Sequence, residues 1–333
     1  MAAVAMLLTG LSVSAVSSKN DDPRQLQERI RQAFDEEDWP AAIEAGTRLA
    51  RAQPAGGVAA YNVACAYSRS GDTAGALKWL GESARLGFAI TRLLNEDPDL
   101  AAVRDEDGFA EIVERVERNR REEFEWFSNT AREAEPLVIL PDGYDPEVPA
   151  PLIIVLHGRG DSGKSIARAW DEVANETGAI LVAPDALRPL WTGYEWRFVD
   201  ESVWYVLLTL DRVRERYSVD EQRIVLTGFS QGAHVALVTA LRHPERFCGL
   251  VPVSGDFDPR LEVIPPAEDG PTPRVWLLIG SEDRSAQSYR EAHKAFRAAG
   301  WTAKLRIEKG LGHVFPVRDR KELRKVLNFV CGL

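Results

Sequence analysis

The chain changes its hydrophobic rhythm once. Over residues 24–121 apolar positions recur three and four apart, as Leu26, Ile30, Ala33 and Phe34 and then as Ala42, Ile43, Ala45 and Leu49. Residues at that spacing share one face of a helix, so the region is predicted to be helical. Pro40 falls in the first turn of the second helix, where a missing N–H costs nothing. A helix rich in Glu and Arg is predicted from about Gly108 to Ala134, with residues 122–135 as a helical linker. From Pro136 the pattern becomes short β-branched runs, at Leu137–Leu140, Leu152–Leu156, Ala179–Ala183, Arg223–Thr227, Gly249–Val253, Val275–Ile279 and Lys304–Ile307. Helical patterns separate them near Ser165–Thr177, Glu201–Tyr217, Gln231–Arg242, Ser285–Ala299 and Asp319–Val330. Alternating strand and helix predicts an α/β domain over 136–333, with a mostly parallel sheet covered on both faces.

The helical part repeats. Glu37-Asp38-Trp39-Pro40-Ala41-Ala42-Ile43 aligns with Gly71-Asp72-Thr73-Ala74-Gly75-Ala76-Leu77 at an offset of 34 residues. A helix–turn–helix unit of that period is the mark of tetratricopeptide repeats. The run Tyr61-Asn62-Val63-Ala64-Cys65-Ala66-Tyr67, followed by Gly71-Asp72, resembles that family, and Asp97-Pro98-Asp99-Leu100 through Phe109 resembles a degenerate closing unit. About three repeats are needed to bury a continuous core, so the region is expected to dock on the second domain. A structural appendage is the expected role, with a groove for a protein or peptide partner, or a wall beside the second domain's site, as the alternative.

Charge narrows the partners. Residues 1–135 carry 16 Lys and Arg against 24 Asp and Glu, and the whole chain has a net charge of −10, which repels phosphate backbones and argues against nucleic acid. Beyond the N-terminus no apolar run is long enough to span a bilayer. Residues 1–18 pair an apolar stretch with small residues suited to a cut after Ala15, which predicts export to a periplasmic or extracellular space. Against this, the first basic residue is Lys19, so a cytoplasmic protein with a misassigned start or a disordered arm is the alternative. Cys65, Cys248 and Cys331 are too few and too irregular for a disulfide framework or a zinc site, and are expected as buried thiols. Nothing in the spacing argues for a Cys248–Cys331 bridge, although an oxidising compartment would permit one.

The sharpest chemical signal is Gly228-Phe229-Ser230-Gln231-Gly232, between the run Ile224–Thr227 and a helical pattern. That strand–turn–helix setting is what a nucleophile elbow needs, with Ser230 exposed on a tight turn at a helix N-terminus. A serine hydroxyl needs a base. Of the five histidines, only His313, in Gly310-Leu311-Gly312-His313-Val314-Phe315-Pro316, falls in a loop between a late strand and the last helix. The acid is expected between them in sequence, at Asp283 after Val275–Ile279, with Asp256 as runner-up. Leu156-His157-Gly158-Arg159-Gly160-Asp161-Ser162-Gly163 can bring backbone N–H groups to a substrate oxygen, completing an oxyanion hole with the N–H of Gln231. Gly158, Gly163, Lys164 and Ser165 also match a phosphate-binding loop literally. The hydrolase reading explains four segments with one mechanism, so this match is taken as chance. The aromatic loop Leu187–Phe198 is expected either to wall an acyl site or to pack on its own domain, with Trp196 as the preferred substrate-binding residue.

Together these blocks resemble the phospholipase/carboxylesterase branch of the α/β hydrolases, with relatives among acyl-protein thioesterases and small bacterial serine esterases. The resemblance covers 136–333 and implies an α/β-hydrolase fold. It also places the oxyanion donors on the backbone N–H groups of Arg159 and Gln231. Family members usually carry an apolar residue where this chain has Arg159, which leaves the charge of the acyl pocket open. The expected activity is hydrolysis of a small-molecule carboxylic ester through an acyl-enzyme on Ser230, with no metal or organic cofactor. A thioesterase or peptidase using the same triad, or an idle scaffold recruiting partners through the repeats, is the alternative.

Overall fold

The structure, a computed structural model, describes residues 22–53, 57–257, 262–315 and 320–333. The predicted export segment at 1–18 lies outside the described residues. Among the described residues no helix is long and apolar enough to cross a membrane. The chain divides into two compact units, Met1–Ser128 and Asn129–Leu333.

The first unit is built from helical hairpins. α1 (Pro23–Asp35) packs on α2 (Trp39–Ala52), and α3 (Val58–Arg69) on α4 (Thr73–Arg85). The repeat seen in sequence recurs in the caps. The Asp38 carboxylate accepts the Ala41 N–H at 3.1 Å to start α2, and 34 positions later Asp72 accepts the Gly75 N–H at 2.8 Å to start α4. Each such cap satisfies an orphan donor and contributes about 1 kcal/mol. The buried stripe comprises Leu26, Ile30, Ala42, Ala45, Leu49, Ala64, Ala76 and Leu80, the apolar face of the sequence pattern. A short helix α5 (Thr91–Glu96) and a 3-10 turn follow, and then α6 (Phe109–Glu133), which runs unbroken through the predicted linker. Within α6, Asn119 donates to Ala84 O and Phe88 O at 2.7 and 2.8 Å.

The second unit is a seven-stranded sheet between helical layers. In chain order it contains β1 (Leu137–Ile139), β2 (Ala150–Leu156), α7 (Gly163–Ala167), α8 (Asp171–Glu176), β3 (Ile180–Ala183), the hairpin β4 (Arg188–Leu190) and β5 (Gly193–Glu195), and α9 (Val199–Arg216). It continues with β6 (Val219–Phe229), α10 (Gln231–Arg242), β7 (Gly249–Val253), β8 (Arg274–Gly280), α11 (Ala286–Ala298), β9 (Ala303–Glu308) and α12 (Arg320–Cys331). The sheet order is β1-β3-β2-β6-β7-β8-β9, with β1 antiparallel and every other neighbour parallel. This is the α/β-hydrolase fold.

Every residue of β2, β3 and β7 is buried, because parallel strands have helices on both faces. One face closes with Trp170, Val173, Leu323, Val326 and Leu327 from the α7–α8 segment and α12. The helical pattern expected over Ser165–Thr177 breaks into α7 and α8 around Trp170, which turns fully into this layer. Each aliphatic side chain so buried contributes about 1.5–3 kcal/mol.

The cysteines depart from expectation. Cys65 is a buried free thiol, whereas Cys248 and Cys331 are joined across 83 residues, with Cα atoms 5.5 Å apart. Cys248 precedes β7 and Cys331 ends α12, a proximity that sequence spacing cannot show. A link closing so long a loop restricts the unfolded chain and contributes about 2–4 kcal/mol. Cys331→Ser is therefore expected to lower the thermal midpoint of the oxidised protein and to abolish its response to reductant. Equal midpoints for the two proteins under oxidising conditions would count against the bridge.

Candidate active site

Strand order reverses between β2 and β6, and sheets of this kind open a crevice at the carboxyl ends of the strands at such a point. Four residues singled out from sequence follow strand ends there or nearby: His157 after β2, Ser230 after β6, Asp283 after β8 and His313 after β9.

Ser230 has φ 54 and ψ −117, a left-handed backbone that a non-glycine residue rarely adopts. Its neighbours make that turn fit. A Cβ on Gly228 would lie 2.4 Å from Gly232 O, and one on Gly232 would lie 2.4 Å from Leu156 O. Both glycines of the motif are thus required by close backbone approach. The Ser230 N–H is held by Val253 O at 2.9 Å, tying the turn to β7.

Three side chains form one hydrogen-bonded line. His313 Nε2 lies 2.8 Å from Ser230 Oγ, and His313 Nδ1 lies 2.8 Å from Asp283 Oδ2. The Asp283 side chain is fully buried, and its other oxygen accepts the Ser285 N–H at 3.0 Å. The loops carrying acid and base are laced together: Glu282 N–H donates to Leu311 O at 2.8 Å, and Gly310 N–H to Ser281 Oγ at 2.9 Å. Asp256, the other candidate acid, is instead mostly exposed, with its carboxylate on Ser285 Oγ and Arg284. Glu282 points to solvent. Of the remaining histidines, His234 bonds Asp256 O at 2.9 Å and His293 bonds Ala303 O at 3.2 Å.

The loop after β2 is a tight turn. Gly158 O accepts the Asp161 N–H at 3.2 Å, with Gly160 at φ 77 in the position where such a turn favours glycine. A Cβ on Gly158 would lie 3.4 Å from the Ser230 Cβ, so this loop lies directly beside the serine. Among the described residues neither the Arg159 nor the Gln231 backbone N–H has a hydrogen-bond partner. The Arg159 guanidinium is neutralised by Glu195, Nε to Oε2 2.8 Å, so its charge is turned to the hairpin. The same loop rules out the phosphate-loop match. Asp185 accepts the Gly163 N–H at 2.6 Å, putting a carboxylate where a phosphate would need that donor.

The hairpin β4–β5 was not legible in sequence, because its turn, Trp191-Thr192, lacks the Asn-Gly or Asp-Gly pair that signals one. It is stapled to the loop after β2 by Gly160 N–H to Tyr194 O at 2.8 Å and Tyr194 N–H to Asp161 O at 2.9 Å. Trp196, expected as a substrate-binding residue, packs inward on its own domain. Only 4% exposed, it donates its indole N–H to His157 O at 3.0 Å, and its backbone N–H goes to Gln231 Oε1 at 2.8 Å. It is a strut beneath the loop, and the exposed aromatic of this hairpin is Trp191, 97% accessible.

One further residue escaped sequence reasoning, and another, His157, was singled out only by its place after β2. Tyr289, in the first turn of α11 and buried, accepts the Gly255 N–H at 2.7 Å, and burial pushes its phenol pKa up. Gly255 in turn packs against Ser230 O and the first turn of α10. His157 is fully buried, with Nδ1 2.7 Å from Gly158 O and Nε2 accepting the Ala186 N–H at 2.9 Å. Burial lowers its pKa below the ordinary 6.5, partly offset by its bond to Gly158 and by Asp185 and Asp161 nearby.

Comparison with known proteins finds esterases similar to parts of this chain. The family model Esterase, described as "Putative esterase", matches residues 207–320. Feruloyl esterase C of Emericella nidulans is 32% identical over 123 residues, which cover 35% of this chain and 44% of that protein. The poly(3-hydroxybutyrate) depolymerase of Ralstonia pickettii is 28% identical over 116 residues, 30% of this chain and 24% of that one. "Putative esterase NocK" of Nocardia uniformis subsp. tsuyamanensis is 29% identical over 135 residues, 38% of either chain. The chain thus spans less than half the length of each of these curated relatives. Among solved structures, Arabidopsis thaliana SOBER1 aligns at 21% identity and a TM-score of 0.47, covering 54% of this chain and 98% of that one. The sequence matches support kinship at the level of the serine esterase superfamily.

Burial of neutral His157 also has a sign in stability. Its folded pKa is depressed, so its contribution is complete above the unfolded value near 6.5 and is lost as pH falls through the folded value. The urea midpoint is expected to drop between pH 7 and 5, and to drop less in His157→Asn. Parallel pH profiles in the two proteins would contradict this.

Proposed function

We propose that the chain is a serine carboxylesterase whose catalytic residues are Ser230, His313 and Asp283. The observation that carries this reading is the unbroken line from Ser230 Oγ through His313 to buried Asp283, beside two unpartnered backbone N–H groups. The Asp283 carboxylate can only accept, so the histidine carries its proton on Nδ1 and leaves Nε2 free as base. Ser230 Oγ attacks the ester carbonyl as its proton passes to Nε2. The oxyanion that forms is met by the N–H groups of Arg159 and Gln231, the latter at the positive end of α10. His313 returns the proton to the departing alcohol, then activates the water that releases the acid.

The curated relatives support a carboxylic ester as substrate, since two are named for feruloyl esters and poly(3-hydroxybutyrate). Residues 136–333 serve as the catalytic domain in this reading. The helices of 24–121, with aspartate caps 34 residues apart, are read as tetratricopeptide-like repeats.

Hydrolysis of p-nitrophenyl esters from acetate to palmitate tests the proposal. Wild type is expected to cleave at least the short members, and Ser230→Ala to fall to the buffer rate. Asp283→Asn keeps the shape but loses the anion, and is expected to lower kcat by about 10³- to 10⁴-fold. Ester cleavage that survives in Ser230→Ala would sink the assignment, as would a wild type inert to the whole series.

A further inference from the structure

We propose that His157 is a positioning residue that aims the Arg159 backbone N–H into the oxyanion hole; this rests on the esterase reading above. The ring has one tautomer compatible with its neighbours. The Ala186 N–H can only donate, so Nε2, 2.9 Å away, must be the acceptor and carries no proton. The proton is therefore on Nδ1, which donates to Gly158 O at 2.7 Å. Gly158 C=O and Arg159 N–H belong to one peptide unit. In a trans peptide these two groups point in opposite directions, so fixing the carbonyl also fixes the N–H.

The surroundings leave that peptide few other orientations. Gly158 O is held from two sides, by the His157 ring and by the Asp161 N–H at 3.2 Å, which uses both of its lone pairs. The His157 carbonyl is held in turn by the indole N–H of Trp196 at 3.0 Å. The Gly158 Cα packs against Ser230, so a small rotation of this peptide would move the donor relative to the reacting carbon. Donors that stabilise an oxyanion act through prior orientation, so a donor free to turn loses much of its effect. Asp161 and Asp185 are the charged groups whose fields reach the ring, and both favour its protonation, which burial opposes. A charged ring would place a proton on Nε2 and break the bond to Ala186.

The two nitrogens can be tested separately by the amide side chains. Asn places its amide nitrogen where Nδ1 stands and keeps the donor to Gly158 O. Gln reaches the position of Nε2 and keeps only the acceptor for Ala186. His157→Asn is expected to stay within about fivefold of the wild-type kcat, while His157→Gln falls by about 10²-fold with KM unchanged, the scale of losing one oxyanion donor. A trifluoromethyl ketone, which forms the tetrahedral adduct, should weaken in His157→Gln by the same factor as kcat/KM. A merely structural residue would instead give losses that follow thermal midpoint, and equal losses in both variants overturn the proposal. So does wild-type kcat in His157→Gln. Should either variant fail to fold, nitrogen-15 NMR of the wild type decides: a neutral His157 protonated on Nδ1 supports the proposal, and a proton on Nε2 overturns it. A wild type inert to every ester is a separate outcome, since it removes the esterase reading while the NMR still reports the tautomer.

Discussion

The backbone of Ser230 sits at φ 54, a conformation that costs a non-glycine residue about 1–3 kcal/mol, and the rest of the site depends on that turn being held. What holds it is the absence of two side chains. Gly228 and Gly232 let strand β6, helix α10 and the end of β2 approach so closely that a methyl group on either glycine would overlap a carbonyl. Val253 O then takes the serine N–H, and the sheet supplies the rigidity. A sheet buried on both faces can bear such strain, because relaxing the turn would mean separating strands whose side chains have no exposure to lose.

From that fixed point the other groups are placed by the sheet's own register. β7 separates β6 from β8, and β9 lies beyond, so serine, acid and base arrive from three strand ends along one edge. The acid and base loops could move independently but for their lacing. A Cβ on Gly280 would lie 2.1 Å from Leu311 O, and Glu282 donates to the same carbonyl. The loop of Asp283 therefore carries that of His313 with it. Burial of the Asp283 carboxylate keeps water from competing for the imidazole N–H.

The strands and their order of alternation were legible because buried parallel strands read as continuous β-branched runs, and helices as a separate period. Ser230, Asp283 and His313 could be picked out as candidates for a different reason: proton transfer needs particular side chains, and each sits just past a recognisable strand. The hairpin β4–β5 was hidden by its unmarked turn, and the Cys248–Cys331 link by a separation of 83 residues. Trp196 was correctly seen as an aromatic near the site, but hydropathy carries no information on which side of a loop a ring packs. Its indole is buried, whereas Trp191, to which no part was assigned from sequence, is fully exposed.

The same division explains why a charged residue is tolerated at Arg159. In the proposed reading proton transfer falls to side chains, so substitution at Ser230, His313 or Asp283 would change the chemistry itself. Charge stabilisation is assigned to backbone N–H groups, which every residue but proline supplies. The identity of residue 159 is then free to vary provided its side chain leaves the site, and here Glu195 draws the guanidinium onto the hairpin. On that proposal what cannot vary is the orientation of the peptide, whose carbonyl is held from outside by the ring of His157 and by a tight turn closed at Asp161. Residues that govern a backbone donor are therefore scattered and chemically unremarkable in sequence. They become visible only when each hydrogen bond of the loop is followed to its partner.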